Sequence, residues 1–275
     1  MRSTECPSSL YIYWLVLCVC FVDKSDVEPL LALGKDRLHE ALENGRYKEA
    51  SELIKSESEE FLTNCYENYG GYSPPSYKSS LHIMAAIADQ EQSAKLCREL
   101  LGKVKKAENR DCLLNATVVE VFGSGAQRVR TRVAAVHIAA YHGNAAVVRL
   151  LCHEFGVDAD CGSSETLEDA PTKRITPLYW AVRNGHNEVV RQLINCSADV
   201  NARCTDHDDT PLYVAAQNGH DELVKLLLDN NADSSKANYT GSTPVQVAVL
   251  SAHKEIVKLL MGSKAMESMI CMSAE

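Results

Sequence analysis

The phrase TPLYWAVRNGH (176–186) returns as TPLYVAAQNGH (210–220) and as TPVQVAVLSAH (243–253), with Thr176, Thr210 and Thr243 spaced 34 and 33 residues apart. A fixed interval of this size marks one supersecondary unit written several times, each copy packed against the next. That excludes most folds closed around one central core. Sliding the chain against itself adds AAVHIAAYHGN (134–144), with Ala134 and Ala135 in place of Thr-Pro, and DRLHEALENGR (36–46) followed by EASELI (49–54). A looser copy, SSLHIMAAIADQ (79–90), lacks the glycine. About six units result.

Each phrase has a mechanical reading. Thr accepts a backbone N–H left over at a helix start, and Pro follows at the first helical position, where its missing N–H costs nothing. Small residues (Ala139, Ala181, Ala215) let a second helix approach. Gly143, Gly185 and Gly219 can take the left-handed conformation that ends a helix. A second helix follows with apolar residues such as Val189, Val190, Leu193 and Ile194, or Leu223, Val224, Leu227 and Leu228. Such a short pair cannot bury its apolar side alone, whereas stacked neighbours can.

TPLYWAV, NGHNEVVRQLI and SADVNAR together resemble the ankyrin repeat, closely over 134–262 and more loosely over 36–101. The family's helix-capping His is Tyr at 179 and 213, while His39, His82 and His137 retain it. The resemblance implies an all-α ankyrin-repeat solenoid of about six helix-turn-helix units, interrupted by an irregular insertion. The expected division is an apolar leader (1–22), divergent N-terminal units (23–102), a basic insertion (103–133), the main repeats (134–262) and a flexible tail (263–275).

Two insertions break the spacing. Residues 103–132 carry seven basic and three acidic side chains, and Val119 and Val121, then Gly123-Ser124-Gly125, then Val129, Thr131 and Val133 alternate as a β-hairpin would. A finger for an acidic ligand and a solvated loop are the two readings. The second insertion, CGSSETLEDAPTKRI (161–175), leads into PLYWAV. Its Glu165, Thr166, Glu168, Ala170 and Pro171 resemble the inserted loop of the feminization-protein family of ubiquitin-ligase substrate receptors. That resemblance implies degron recognition on the repeat surface and cullin recruitment through a C-terminal box. GSKAMESMICMSAE (262–275) does not look like that box, and the hairpin has no counterpart in that pattern.

The leader's apolar run LYIYWLVLCVCFV (10–22) is 13 residues long. A bilayer span needs about 20, so no stable membrane span is expected, while the length suits the core of a secretory signal. The flanks fit poorly: Glu5 and Pro7 precede the run, and Cys18 and Cys20 occupy the small-residue sites. Cytoplasmic or nuclear residence is expected, with secretion as the alternative if residues 1–20 are cleaved. None of the eleven cysteines forms a C-x-x-C pair, so zinc and redox signatures are lacking. The net charge of −9 argues against nucleic acid as a partner.

No catalytic constellation emerges, and neither a metal nor a cofactor is expected. Gly123-Ser124-Gly125 lacks the Lys-Ser or Lys-Thr of a phosphate loop. Cys152 takes a core leucine's place and reads as a small buried hydrophobe, and His186, His220 and His253 recur at one position, which points to packing. The expected function is a non-catalytic, monomeric protein-interaction module with a preformed concave surface. Its candidate residues are Arg203, Asp206, His207, Asp208 and Asp209 in one finger, with Tyr179, Trp180, Arg183, Tyr213 and Gln217 on the adjoining helices. Residues 199–233 carry eight acidic and two basic side chains, which suits a basic protein or peptide ligand. The competing reading makes those aspartates turn formers and packs Trp180 between units.

Overall fold

The structure, a computed structural model, describes residues 37–57, 80–105, 107–115, 117–122, 129–162, 164–165, 175–205 and 207–262. The leader, the Gly123-Ser124-Gly125 bend, Asp206 and the tail lie outside the described residues.

Among the described residues six helical hairpins follow one another. The first pairs α1 (37–43) with α2 (Tyr47–Ser56), and the second pairs α3 (Ser80–Ala85) with α4 (Gln90–Lys103). After the insertion come α6 (Ala135–Tyr141) with α7 (Ala145–Arg149), α8 (Pro177–Arg183) with α9 (Asn187–Asn195), and α10 (Pro211–Asn218) with α11 (Asp221–Asp229). The last pairs α12 (Pro244–Leu250) with α13 (254–262). First helices pack on first helices and second on second, so the units stack in two layers. One apolar seam runs along the stack, from Leu38 and Ile54 through Leu100 and Leu151 to Leu193, Leu227 and Ile256.

The caps are those the phrase predicts. Thr176, Thr210 and Thr243 accept the backbone N–H of Tyr179, Tyr213 and Gln246 at 3.3, 3.2 and 3.4 Å. The Gln246 side chain returns the bond to the Thr243 N–H at 2.8 Å, completing a reciprocal cap. Where Ala134 replaces threonine, His137 Nδ1 accepts the Ala134 N–H at 3.3 Å, and His137 Nε2 lies 3.2 Å from the Ile175 carbonyl. That ring is buried, and burial lowers its pKa to about 4. It therefore stays neutral, accepting through Nδ1 and donating through Nε2.

The recurrent histidines lock each unit onto the one before. His186 Nε2 donates to the Tyr141 carbonyl at 2.9 Å, His220 to Arg183 at 3.3 Å and His253 to Gln217 at 3.2 Å. Asn184 and Asn218 donate to the same Tyr141 and Arg183 carbonyls at 2.8 and 3.1 Å. Each ring lies against the glycine of the preceding unit. A Cβ at Gly143 would stand 2.8 Å from His186, and one at Gly219 would stand 2.6 Å from His253. Glycine is thus required twice over, for its left-handed backbone (φ 76° at Gly143, 79° at Gly219) and for the close approach of the next ring.

Both insertions contribute regular elements among the described residues. Rather than an irregular loop, the basic segment opens with helix α5 (Ala107–Asn115), which buries Leu113 and Leu114. Arg110 donates to the Val104 carbonyl at 2.7 and 3.2 Å and sits over the Phe155 ring, so it is a structural cation. The alternating stretch forms the antiparallel pair β1 (Thr117–Phe122) and β2 (Val129–Ala134), in register from Thr117 opposite Ala134 to Phe122 opposite Val129. The second insertion supplies β3 (Ser164–Glu165), antiparallel to β2 with Glu165 opposite Thr131. Strand order is β1-β2-β3, and β2 runs directly into α6. The two insertions therefore meet in one small sheet, which nothing in their separate sequences announced.

Candidate protein-interaction surface

The segments preceding each first helix form a row along the stack: β2 before α6, Ile175 before α8, residues 203–209 before α10 and 236–242 before α12. The 203–209 finger is a tight hairpin. Cys204 N–H donates to the Asp209 carbonyl at 3.0 Å, and Thr205 and Asp208 take left-handed backbone angles (φ 67° and 59°). The Cys204 Sγ lies 3.4 Å from Thr176 Oγ1, which pins the finger to the neighbouring cap.

The expected site residues divide by burial. Tyr179, Trp180 and Tyr213 are only 7, 1 and 8 % exposed, which corrects the expectation that their rings offer contact area on the surface. The physical reason is inter-unit packing. Trp180 meets Tyr141 and Tyr179 edge-on at 5.6 Å each, and the Arg183 guanidinium caps it at 5.6 Å. Burial raises the Tyr179 hydroxyl's pKa, with Arg183 nearby opposing the rise. Asp209 is a scaffold group, accepting from Thr205 Oγ1 at 3.2 Å and from Asn238 Nδ2 at 3.1 Å. Asp199 and Asp233 likewise hold turns through the N–H groups of Asn201 and Ser235. Asp206 lies outside the described residues.

Three of the expected residues, Arg203, His207 and Gln217, are exposed on this side, and Arg183, Asp208 and Asp209 are half-buried. The structure adds one that sequence reasoning missed. Tyr239 is 66 % exposed, and its ring stacks on His207 with centroids 5.7 Å apart and planes inclined by 23°. The Tyr239 N–H also donates to the His207 carbonyl at 2.7 Å, tying adjacent fingers together. Nothing in NYTGS (238–242) repeats elsewhere, so an alignment of units leaves Tyr239 unmarked; its only signal is a large ring in a turn.

The thiols offer little chemistry. Burial pushes Cys97 up to about 12 and raises Cys152 and Cys204 as well, the opposite of what a nucleophile needs. Among the described residues no three His, Cys, Asp or Glu side chains are grouped to hold a metal ion, and no helix is long and apolar enough to cross a membrane.

No curated protein matches the chain. The family model for ankyrin repeats, in three copies, matches residues 81–204 and 200–269. Those stretches span the second to the sixth hairpin, of which the third, fourth and fifth end their first helices on Gly143, Gly185 and Gly219. Proteins of this kind are generally protein–protein interaction modules. On the repeat, its packing and this match, the chain belongs to the ankyrin-repeat family.

Proposed function

We propose that the chain is a non-catalytic adaptor that captures a basic, extended segment of a partner protein along the finger row of its last three units. The exposed His207–Tyr239 stack carries this reading. Two rings held rigid by a backbone bond between fingers give a flat platform that loses little freedom on binding, and an arginine plane or lysine stem can lie on it. The surroundings suit a cation, since residues 199–233 carry a net charge of −6. Arg203, exposed and in the same finger as His207, adds selectivity against ligands that are uniformly basic.

The test uses the full chain and a labelled, Lys/Arg-rich flexible peptide, with a Glu-rich peptide of equal length as control. Preference for the basic peptide, weakening with salt, is expected. A His207→Ala/Tyr239→Ala double variant should weaken binding about tenfold with its thermal midpoint kept. Equal binding of both peptides, or full affinity in the double variant, overturns the proposal. We also propose cytoplasmic or nuclear residence, which the buried thiols of Cys97, Cys152 and Cys204 suit. An N-terminus beginning near Phe21 in the mature protein overturns that location.

A further inference from the structure

The three-stranded sheet is built asymmetrically. On one side of the hairpin, β2 receives β3, two residues of the stretch SETLED (164–169), which holds three acidic residues and no basic one. On the other side, β1 pairs with β2 along all six of its residues, and among the described residues no strand follows it outward. Alternate N–H and C=O groups of a six-residue strand therefore face away from the sheet, and a strand edge of that kind is a template for another chain. The usual guards are missing from the sequence of β1: TVVEVF has no proline, glycine or lysine, and one charge, Glu120.

We propose that the outer edge of β1 is a docking site for an extended, acidic segment of a partner protein, added to the sheet as a fourth strand. Charge selects the occupant. Residues 103–132 carry a net charge of +4 within a chain of net −9. A second copy pairing edge to edge would bring two such cationic segments together, whereas an acidic strand is attracted. On the sheet's other edge β2 already accepts an added strand, with Ser164 and Glu165 opposite Arg132 and Thr131. The site is separate from the His207–Tyr239 platform and does not depend on it.

The experiment uses the full chain and three synthetic peptides of equal length: one alternating Glu with Val, one alternating Lys with Val, and a Glu/Val peptide with a central proline. Hydrogen exchange and fluorescence anisotropy are the readouts. The Glu/Val peptide is expected to slow exchange within 117–122 and to bind at least about tenfold tighter than the other two. Consecutive amides point to opposite sides of a strand, so Val118→Pro and Val119→Pro are compared. One of the two should abolish binding while leaving exchange across β2 unchanged. Arg130→Glu/Arg132→Glu should move the preference to the Lys/Val peptide. The His207→Ala/Tyr239→Ala variant should bind the Glu/Val peptide as the parent does, so loss of one site is distinguishable from loss of the other. Protection of all β1 amides in the free chain means the chain covers its own edge and overturns the proposal. So do a concentration-dependent dimer that the prolines dissolve, or equal binding of all three peptides.

Discussion

Units 2 and 3 are joined by a buried amide, whereas units 3 to 6 are joined by histidines at the solvent edge. Asn144 stands in the third unit where His186, His220 and His253 stand in the later ones. It is 1 % exposed, its Nδ2 donates to the Ile87 carbonyl at 3.1 Å and to Ser93 Oγ at 3.0 Å, and its Oδ1 accepts the Val147 N–H at 3.2 Å. Ser93 in turn donates to the Met84 carbonyl at 2.5 Å. The histidine joints are half-buried, and at Tyr141 and Arg183 an asparagine shares the accepting carbonyl. One job, fixing the register of neighbouring units, is thus done by a dry network, beside the exposed Gln90–Gly143 and Arg98–Glu154 contacts, and by a wetter contact with a spare donor at Tyr141 and Arg183. The buried version is the more costly to damage, because a buried polar group left without its partner cannot turn to water.

The sharpest way to break the comparison is Asn144→Leu. It strands the Ile87 carbonyl, the Val147 N–H and one bond of Ser93, and should cost about 4 kcal/mol in urea denaturation. Because the loss falls at one joint of a stack, units 1 and 2 should then unfold in a separate, earlier transition. A single unchanged transition contradicts the network's role.

Acid should reach the same region next. His137 has a folded pKa of about 4 against an ordinary 6.5, so between these values the unfolded chain binds a proton that the folded chain refuses. Its contribution is complete above pH 6.5 and is lost as pH falls towards 4, by at most about 3 kcal/mol. His137→Gln can accept the Ala134 N–H as Gln246 accepts that of Thr243, and it should flatten this part of the stability–pH curve. A variant with the parent's slope between pH 4 and 6.5 assigns the slope elsewhere.

At the histidine joints, Gly219→Ala should cost about 2 kcal/mol, combining a left-handed backbone (φ 79°) with a contact of 2.6 Å to His253 Cε1. Gly241→Ala has the same backbone demand (φ 78°) but open space, and should cost about 1 kcal/mol. In a Gly219→Ala/His253→Ala double variant the two losses should sum to less than their separate values, since the clash disappears with the ring. Smallest of all is His220→Ala, at about 1 kcal/mol or less, because Asn218 still serves the Arg183 carbonyl. A larger loss there removes the distinction between the two kinds of joint.

Much of this was legible before any coordinates. The Thr-Pro starts, the glycine ends and the 3.6-residue spacing of apolar side chains are local signals, decided within one or two helical turns. The alternation of Val119, Val121, Val129, Thr131 and Val133 likewise predicted the strands β1 and β2. The site was less legible. Tyr179, Trp180 and Tyr213 sit on the first helices as expected, yet whether a ring there faces a ligand or a neighbouring unit depends on what lies in the next copy. Tyr141 and Arg183, supplied from the adjoining unit and the helix's own last turn, closed over Trp180.

By itself the sequence determined the unit, its length, its caps and the number of times it is written, because each rests on bonds between residues a few positions apart. Tertiary structure alone decided which side chains remain at the surface, that β3 joins β2 across more than thirty residues of chain, and that Asn144 reaches Ile87 and Ser93 across 57 and 51 positions. Those outcomes depend on how stacked units converge in space, and a pattern that repeats every 33 or 34 residues is silent about the residues in which its copies differ.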